Sequence, residues 1–207
     1  MNDPMIITCL DLEGVLIPEI WIGLAEKTGI EELKLTTRDI SDYDTLMKNR
    51  LRILDEHGLT LKDVREVTAS MAPLKGALEF LNWLKEYSEV IILSDTFREF
   101  AKPLMTQLQN PTLFCHTLQI NGLHQIQDYH LRQRDQKRKA VTALQSLNYR
   151  VIAIGDSYND LSMMQEAHAG IFFRPAPKVI LDYPDFPACD TYEDLKQQLS
   201  QNEGFIR

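Results

Sequence analysis

Short apolar runs that end abruptly at a polar residue constrain the fold of this chain more than any other feature. Residues 5–10 run into Asp11, residues 90–93 into Ser94, and residues 151–154 into Gly155-Asp156. Such brief apolar runs, rich in β-branched residues, are typical of strands buried on both faces of a sheet. Two further short strands are expected at residues 112–115 and 171–173.

Helical segments separate these strands. The pattern predicts helices over residues 78–87, 97–108, 135–147 and 159–167, with a bend at Pro103 in the second. Alternating strands and helices indicate βαβ units and therefore an α/β fold with a Rossmann-like parallel sheet. In such sheets ligands bind at the carboxyl ends of the strands. A hairpin with a tight turn is expected around Asn121-Gly122.

Residues 18–73 interrupt this alternation because they have helical periodicity and no convincing strand. They include a helix over residues 44–57, and Thr60 with Asp63 three residues later resembles the start of another. We therefore expect a catalytic core of residues 1–17 and 74–207. A small helical cap of residues 18–73 would be inserted after the first strand and would contribute to substrate specificity.

Composition excludes several classes of function. The net charge of −8, from 22 basic and 30 acidic residues, argues against general nucleic-acid binding. No apolar run approaches the roughly 20 residues that span a bilayer, and no basic region precedes an apolar stretch at the N-terminus. We expect a cytoplasmic protein without a membrane partner. The 3 cysteines form no CxxC pair, and Cys9 is expected to be a buried free thiol.

Two acidic motifs follow predicted strands. Asp11 and Glu13 are two residues apart, so both side chains can face one site, where one attacks and the other handles a proton. Asp156 and Asp160, four apart at a strand-to-helix junction after Gly155, suit a hard cation such as Mg²⁺. The alternative for the second motif is a solvated helix-capping loop.

Three further residues are weaker candidates. Ser94 ends a strand where a phosphate oxygen would lie, although a serine there is commonly only a helix cap. Lys137 begins a predicted helix and would supply a positive charge, but it lies in a basic cluster and is equally explained as a solvated lysine. Asn159, inside the second acidic motif, can donate a hydrogen bond to a ligand.

The ordered set DxEG, S, K and GDxxND resembles the haloacid dehalogenase superfamily over nearly the whole chain. The resemblance implies that Asp11 attacks a phosphoester and becomes an aspartyl-phosphate, while Glu13 protonates the leaving oxygen and later activates water. It also implies that Ser94 and Lys137 bind the phosphoryl group. Mg²⁺ would be held by Asp11, by the backbone carbonyl of Glu13 and by Asp156, with Asp160 supporting the metal shell.

Glu13 departs from the pattern of this superfamily, whose phosphatases usually carry Asp at that position. The extra methylene moves the acid by about a bond length, and such shifts can cost rate. Water activation is therefore the step most affected. If water attack is slow, the phosphoryl-enzyme can pass its group to an alcohol, which suggests a transferase activity.

The predicted cap offers a substrate clue. Arg50 falls on the apolar stripe of its helix, and Tyr43 lies two turns earlier on a similar face. An inward arginine needs an anion, for which a substrate carboxylate is a good bidentate partner. The alternative is an arginine that snorkels or pairs with a cap carboxylate. Glu19, at the cap entrance, can meet a substrate ammonium or be an ordinary charge at a helix N-terminus.

Arg50, Glu19 and Tyr43 together are similar to the cap residues with which phosphoserine phosphatases hold their substrate. Glu13 and Asp95, which replaces the usual Gly, are typical of a subgroup that also transfers the phosphoryl group to homoserine. That resemblance implies phosphoserine and homoserine as substrates, Asp95 in the binding set, roles in serine and threonine biosynthesis, and a possible homodimer. The alternatives are a phosphatase for another small metabolite, such as a sugar phosphate, and a non-enzymatic binding module.

Overall fold

A computed structural model describes residues 4–36, 39–40 and 42–205. The chain forms one seven-stranded sheet in the order β4-β3-β2-β1-β5-β6-β7. All neighbouring strands are parallel except β3 and β4, which form an antiparallel hairpin. The strands are β1 (Ile6–Leu10), β2 (Glu89–Phe97), β3 (Leu113–Ile120), β4 (Ile126–His130), β5 (Arg150–Gly155), β6 (Ala169–Phe173) and β7 (Ala188–Cys189). The predicted α/β parallel-sheet fold is confirmed.

Nine α-helices are assigned within the described part of the chain. The first four of them lie between β1 and β2 in the sequence. The helices are α1 (Ile20–Thr28), α2 (Tyr43–Glu56), α3 (Leu61–Ser70), α4 (Ala77–Tyr87), α5 (Arg98–Gln107), α6 (Gln136–Ser146), α7 (Leu161–Glu166), α8 (Pro177–Asp182) and α9 (Tyr192–Ser200). None of the described helices is long and apolar enough to cross a membrane.

The central strand shows why the sheet is covered on both sides. All five residues of β1 are buried, and alternate side chains enter opposite cores: Ile6 and Leu10 pack in one, Ile7 and Cys9 in the other. Cys9 is the buried free thiol that was predicted, and burial raises its pKa to about 12. Because β1 is flanked by β2 on one side and β5 on the other, the chain order reverses here, at the usual position of a ligand site.

Residues 18–73 contain helices and no strand among their described residues. Their entry and exit meet at the base, where the backbone N–H of Leu74 donates to the carbonyl of Leu16 at 2.9 Å. The predicted cap signal at the start of α3 is confirmed, since Asp63 accepts from the backbone N–H of Thr60 at 2.7 Å. The division into residues 1–17 with 74–207 and residues 18–73 stays a prediction. Residues 1–3, 37, 38, 41, 206 and 207 of those ranges lie outside the described part.

Pro103 lies inside α5 and has no N–H to donate to the carbonyl of Glu99, four residues earlier. That carbonyl accepts instead from Nε of Arg65, on α3, at 3.1 Å. The helix α3 packs against α5 along this contact. The carbonyl that Pro103 leaves without an intrahelical partner thus links α3, one of the inserted helices, to α5 beside the sheet.

Several boundaries differ from the prediction. The strand β2 extends to Phe97 rather than ending at Leu93, with an irregular register between these residues, so Ser94 and Asp95 lie within it. The hairpin turn is longer than the predicted tight turn, because the Asn121 side chain accepts from two backbone N–H groups of the turn. The short β7 and the helices α8 and α9 were not predicted.

Candidate active site

Lys137 lies between two carboxylates below the central strands. Its Nζ is 2.9 Å from Oδ1 of Asp11, just after β1, and 2.7 Å from Oδ1 of Asp160. The Lys137 side chain is only 3% exposed and that of Asp160 is fully buried. Burial disfavours the ammonium form, but Asp11 and Asp160 outweigh burial and raise the pKa of Lys137 well above its usual value. Lys137 is therefore a buried cation rather than the solvated lysine of the alternative interpretation.

Asp160 fixes the loop that follows β5. Its Oδ2 accepts from the backbone N–H groups of Asp156 at 3.0 Å and Ser157 at 3.2 Å, while Oδ1 faces Lys137. The alternative of a solvated loop fails for Asp160, because its side chain has no exposed surface. Asn159 accepts at Oδ1 from the Ser157 hydroxyl at 2.5 Å and lies at the mouth of the site.

Two glycines permit close packing of these carboxylates. A Cβ on Gly14, whose φ is +78°, would lie 2.5 Å from the Asp156 carboxyl carbon. A Cβ on Gly155 would lie 2.3 Å from the Cβ of Asp160. Any larger residue at either position would push the acidic groups apart.

The acidic groups fit a hard divalent cation. Asp11, Asp156 and Asp160 each offer a carboxylate oxygen, and these oxygens lie within 4.8 Å of one another. Burial, then repulsion from Asp160 and Glu19, raises the pKa of Asp156 to about 7, which indicates an excess of negative charge that a cation would relieve. Carboxylate oxygens are the ligands that Mg²⁺ prefers. Both oxygens of Asp160 already accept hydrogen bonds, which suits a supporting position.

Glu13 turns toward the start of α1. Its Oε2 accepts from the backbone N–H of Ile20 at 2.9 Å, so a proposed acid–base residue contacts the first of the inserted helices. The carboxyl group of the adjacent Glu19 also forms a hydrogen bond with Glu13. Burial and this neighbour raise the pKa of Glu19 to about 7. Glu19 is the N-cap residue of α1 and is still exposed at the surface, so its role toward a substrate ammonium stays a prediction.

A cavity of about 340 Å³ adjoins Asp11, and most of the predicted site residues line it. Lys137 and Asp160 do not line this cavity, but Lys137 contacts both Asp11 and Asp160. The predicted residues that line it are Asp11, Glu13, Glu19, Tyr43, Arg50, Ser94, Asp95, Asp156 and Asn159. The sheet end and the inserted helices thus face each other across one volume, which is large enough for a small phosphorylated metabolite.

Arg50 faces this cavity, as its position on the helix predicted. Its guanidinium lies over the Trp21 ring at 4.5 Å, and Nη2 donates to the Leu35 carbonyl at 2.8 Å. Burial lowers its pKa to about 10, so it keeps its charge at neutral pH. Within the described residues no carboxylate forms an ion pair with Arg50, and its buried Nε has no hydrogen-bond partner. Glu13 and Glu19 nevertheless act on the charge of Arg50 from a greater distance.

Tyr43 and Ser94 complete the wall of the cavity. The Tyr43 hydroxyl donates to the backbone carbonyl of Asp95 at 3.1 Å, so α2 contacts β2 directly. Ser94 is buried, and its Oγ accepts from the backbone N–H of Thr96 at 3.2 Å. That bond leaves the hydroxyl hydrogen free to donate to a ligand.

Sequence reasoning missed three residues of the site. Trp21 forms the platform under Arg50, while His116 and Gln136 are buried polar residues beside Asp95. Gln136 directly precedes Lys137, and its position at a helix start was the one available signal. His116 has no ligand spacing to other histidines that would mark it in the sequence.

The chain matches the model of the haloacid dehalogenase-like hydrolase family over residues 9–168. This range spans more than half of the chain and contains the site residues from Asp11 to Asp160. The chain therefore belongs to this family of hydrolases, and the predicted resemblance is confirmed.

Two curated relatives are closely similar in sequence. "Phosphoserine phosphatase ThrH" of Pseudomonas aeruginosa is 62% identical over 194 residues, which cover 94% of this chain and 95% of the relative. A phosphoserine phosphatase of Pseudomonas syringae pv. tomato is 58% identical over 192 residues, covering 93% and 81%.

Solved structures are more distant in sequence but similar in fold. A crystal structure of an apo phosphoserine phosphatase superposes with a TM-score of 0.75 at 20% identity, covering 98% of this chain and 100% of that one. A phospho-aspartyl intermediate analogue of phosphoserine phosphatase gives a TM-score of 0.74 at 19% identity, covering 94% and 99%. At these identities the likeness supports the fold alone.

Proposed function

We propose that this chain is a Mg²⁺-dependent phosphoserine phosphatase that acts through a phosphorylated Asp11. The observation that carries the proposal is the single cavity with a buried Asp11–Lys137 pair at one end and the Arg50 guanidinium at the other. The names of the two curated relatives support phosphoserine as the substrate.

The first half of the reaction forms the aspartyl-phosphate. A carboxylate oxygen of Asp11 attacks phosphorus while the bond from phosphorus to the seryl oxygen breaks, and Glu13 donates a proton to that oxygen. In the second half, a water oxygen attacks phosphorus, the Asp11 carboxylate leaves, and Glu13 takes the proton from water. Both halves depend on positioning and on the neutralisation of charge, which Lys137 and Ser94 supply to the phosphoryl oxygens.

Mg²⁺ would be held by the Asp11 and Asp156 carboxylates and the backbone carbonyl of Glu13, with Asp160 supporting the shell. When bound, the cation would neutralise charge on the phosphoryl oxygens. Asn159, beside the same cavity, would donate a hydrogen bond to the bound substrate.

The amino acid end of the substrate would lie against α1 and α2. Arg50 would bind its carboxylate through the donors that face the cavity, Glu19 would meet its ammonium group, and Tyr43 would close the wall. Trp21 would hold the guanidinium in place beneath the carboxylate.

The proposal includes transfer of the phosphoryl group from phosphoserine to homoserine. Two features support it: Glu13, whose extra methylene affects water activation, and the word ThrH in the name of a 62% identical relative. Roles in serine and threonine biosynthesis, a cytoplasmic location and a homodimer are further expectations that follow from the resemblance.

The decisive experiment incubates the purified protein with phosphoserine, with and without homoserine, in Mg²⁺ or in excess chelator. We expect Mg²⁺-dependent release of phosphate, and phosphohomoserine as a second product when homoserine is present. Release of phosphate without formation of phosphohomoserine would contradict the transfer activity and leave only the hydrolase activity. Faster turnover of sugar phosphates than of phosphoserine would instead favour the other small-metabolite phosphatase.

A further inference from the structure

Asp95 is held in place by buried neighbours that the catalytic steps do not use. Its Oδ1 accepts from Nε2 of Gln136 at 2.9 Å and faces Nε2 of His116 at 3.5 Å. Both of these neighbours are almost fully buried, whereas the Asp95 side chain is 34% exposed. The carboxylate is therefore anchored through one oxygen, and the rest of the group is open to the cavity.

The hydrogen bonds of these neighbours fix the direction of each donor. Nδ1 of His116 accepts from the backbone N–H of Arg132 at 3.1 Å, which leaves the ring proton on Nε2, toward Asp95. Oε1 of Gln136 accepts from Nε of Arg132 at 2.9 Å, which turns its amide NH₂ toward Asp95 and the Ser94 carbonyl. Each neighbour thus presents a donor to the carboxylate.

Asp95 makes only a long contact with the neighbouring cation, Lys137. Lys137 Nζ is 4.0 Å from Oδ2 of Asp95 but only 2.9 Å and 2.7 Å from Asp11 and Asp160. Although burial favours the neutral acid, Lys137, His116 and Gln136 together lower the pKa of Asp95 below its usual value. Asp95 is a fixed anion with one oxygen available.

Asp95 also lies where two cavities join. A second cavity of about 540 Å³ adjoins the first, and Tyr43, Asp95, Tyr158 and Asn159 line both. An acceptor alcohol must approach phosphorus opposite the Asp11 oxygen, in the place that serine leaves, because displacement at phosphorus is in line. A chain longer than serine, attached to that hydroxyl, has room on the side of Asp95.

We propose that Asp95 is the subsite for the ammonium group of a small amino alcohol that accepts the phosphoryl group, with His116 and Gln136 as its positioning residues. This proposal rests on the transferase part of the proposed function. In the transfer step the acceptor oxygen bonds to phosphorus as the bond from phosphorus to Asp11 breaks. The Asp11 carboxylate is released, and the hydroxyl proton passes to Glu13.

The test compares two acceptors that differ only in the amine, homoserine and 4-hydroxybutanoate, with p-nitrophenyl phosphate as a donor that lacks an ammonium group. The ratio of the two transfer products, read by phosphorus NMR, cancels effects on the donor step. We expect the wild type to favour homoserine and Asp95→Asn to reduce that preference roughly tenfold, the scale of a charge-assisted hydrogen bond. Asp128→Asn, at an exposed acid on β4, matches the change in net charge and should keep the wild-type ratio.

The positioning residues have their own readout. His116→Phe should lower the same ratio by less than Asp95→Asn, and should add little in the double variant, because both changes act on one group. An unchanged preference in Asp95→Asn would overturn the subsite, as would a wild type that transfers to neither acceptor while it hydrolyses phosphoserine. Failure to hydrolyse phosphoserine at all would instead overturn the proposed phosphatase.

Discussion

The two ends of the cavity are built differently. At the sheet end, Asp11, Lys137 and Asp160 are buried and joined by contacts of 2.7–2.9 Å, with little room to rearrange. At the helical end, Arg50 keeps an unpaired Nε, and one of its other donors makes only a long contact, 3.8 Å, with the sulfur of Met47. At the sheet end the charged groups already contact one another, whereas the helical end has donors left for a ligand.

This difference separates two tasks of the site. In the proposed function the sheet end sets the class of reaction, because the nucleophile after β1, the cation on α6 and the metal-binding group after β5 lie together. In the same proposal the helical end would select the molecule, because the Arg50 guanidinium keeps a donor without a partner for a substrate. Changes at the first end should abolish activity or stability, and changes at the second should alter selectivity.

Asp11→Asn gives the largest expected effect, since an amide oxygen cannot replace the nucleophile. Turnover of phosphoserine and of p-nitrophenyl phosphate should fall by about 10⁴-fold or more. Initial rates of phosphate release measure the change, and circular dichroism checks that the fold is retained. Substantial activity in this variant would contradict the proposed mechanism.

Lys137→Met tests whether the sheet end depends on its buried cation. Removing the cation leaves Asp11 and Asp160 buried without their partner, which should cost about 3–5 kcal/mol of unfolding free energy. Urea denaturation measures this loss. Lys139→Met, at an exposed position on the same helix, should change the unfolding free energy by less than about 0.5 kcal/mol. Equal losses in both variants would contradict the ion-pair cluster.

Arg50→Ala tests the helical end. The kcat/KM for phosphoserine should fall about 100-fold because a charge-assisted contact to the carboxylate is lost, whereas p-nitrophenyl phosphate should be nearly unaffected. Arg52→Ala, two residues away but exposed and paired with Glu56, is the matched control. Equal losses of kcat/KM with both substrates would contradict the proposal that the helical end selects the substrate.

Mg²⁺ should stabilise the protein in a pH-dependent way, with the smallest effect of the four. In the folded metal-free protein the pKa of Asp156 is raised to about 7. The Asp156 carboxyl group therefore adds most to the unfolding free energy below the usual aspartate pKa of about 4. That contribution is lost as the pH rises through about 7. Mg²⁺ should therefore raise the melting temperature by a few degrees at pH 8 and by less at pH 5.5.

Thermal denaturation with and without Mg²⁺ at both pH values measures this shift. The Asp156→Asn variant should show little shift at either pH, because it lacks the carboxylate. Equal shifts of the wild type at pH 5.5 and pH 8 would contradict the role of Asp156 in the metal site.

The sheet end was predictable from the sequence for a topological reason. Asp11 and Asp156 follow short apolar runs, and the carboxyl ends of parallel strands meet at one edge, so motifs far apart in sequence come together. Arg50 was predictable from helical spacing, because an arginine on an apolar stripe must face inward. Both inferences need only local periodicity and the rule that parallel strands share an edge.

The remaining features depend on packing that local patterns do not encode. Whether Lys137 or one of its basic neighbours is buried depends on how α6 meets the sheet. His116 and Trp21 acquire their positions from partners far along the chain, Asp95 and Arg50. The extension of β2 through Ser94 reflects an irregular register with β3, which no apolar pattern marks.

The proline in α5 sets a condition on any opening of the cavity. The Glu99 carbonyl that it frees accepts a hydrogen bond from Arg65, so α3 is tethered to α5. The helix α2 meets the sheet through a different contact, from the Tyr43 hydroxyl to the Asp95 carbonyl. A movement of α2 away from β2 to admit substrate would therefore break the Tyr43–Asp95 hydrogen bond. The Arg65–Glu99 hydrogen bond beside Pro103 would remain.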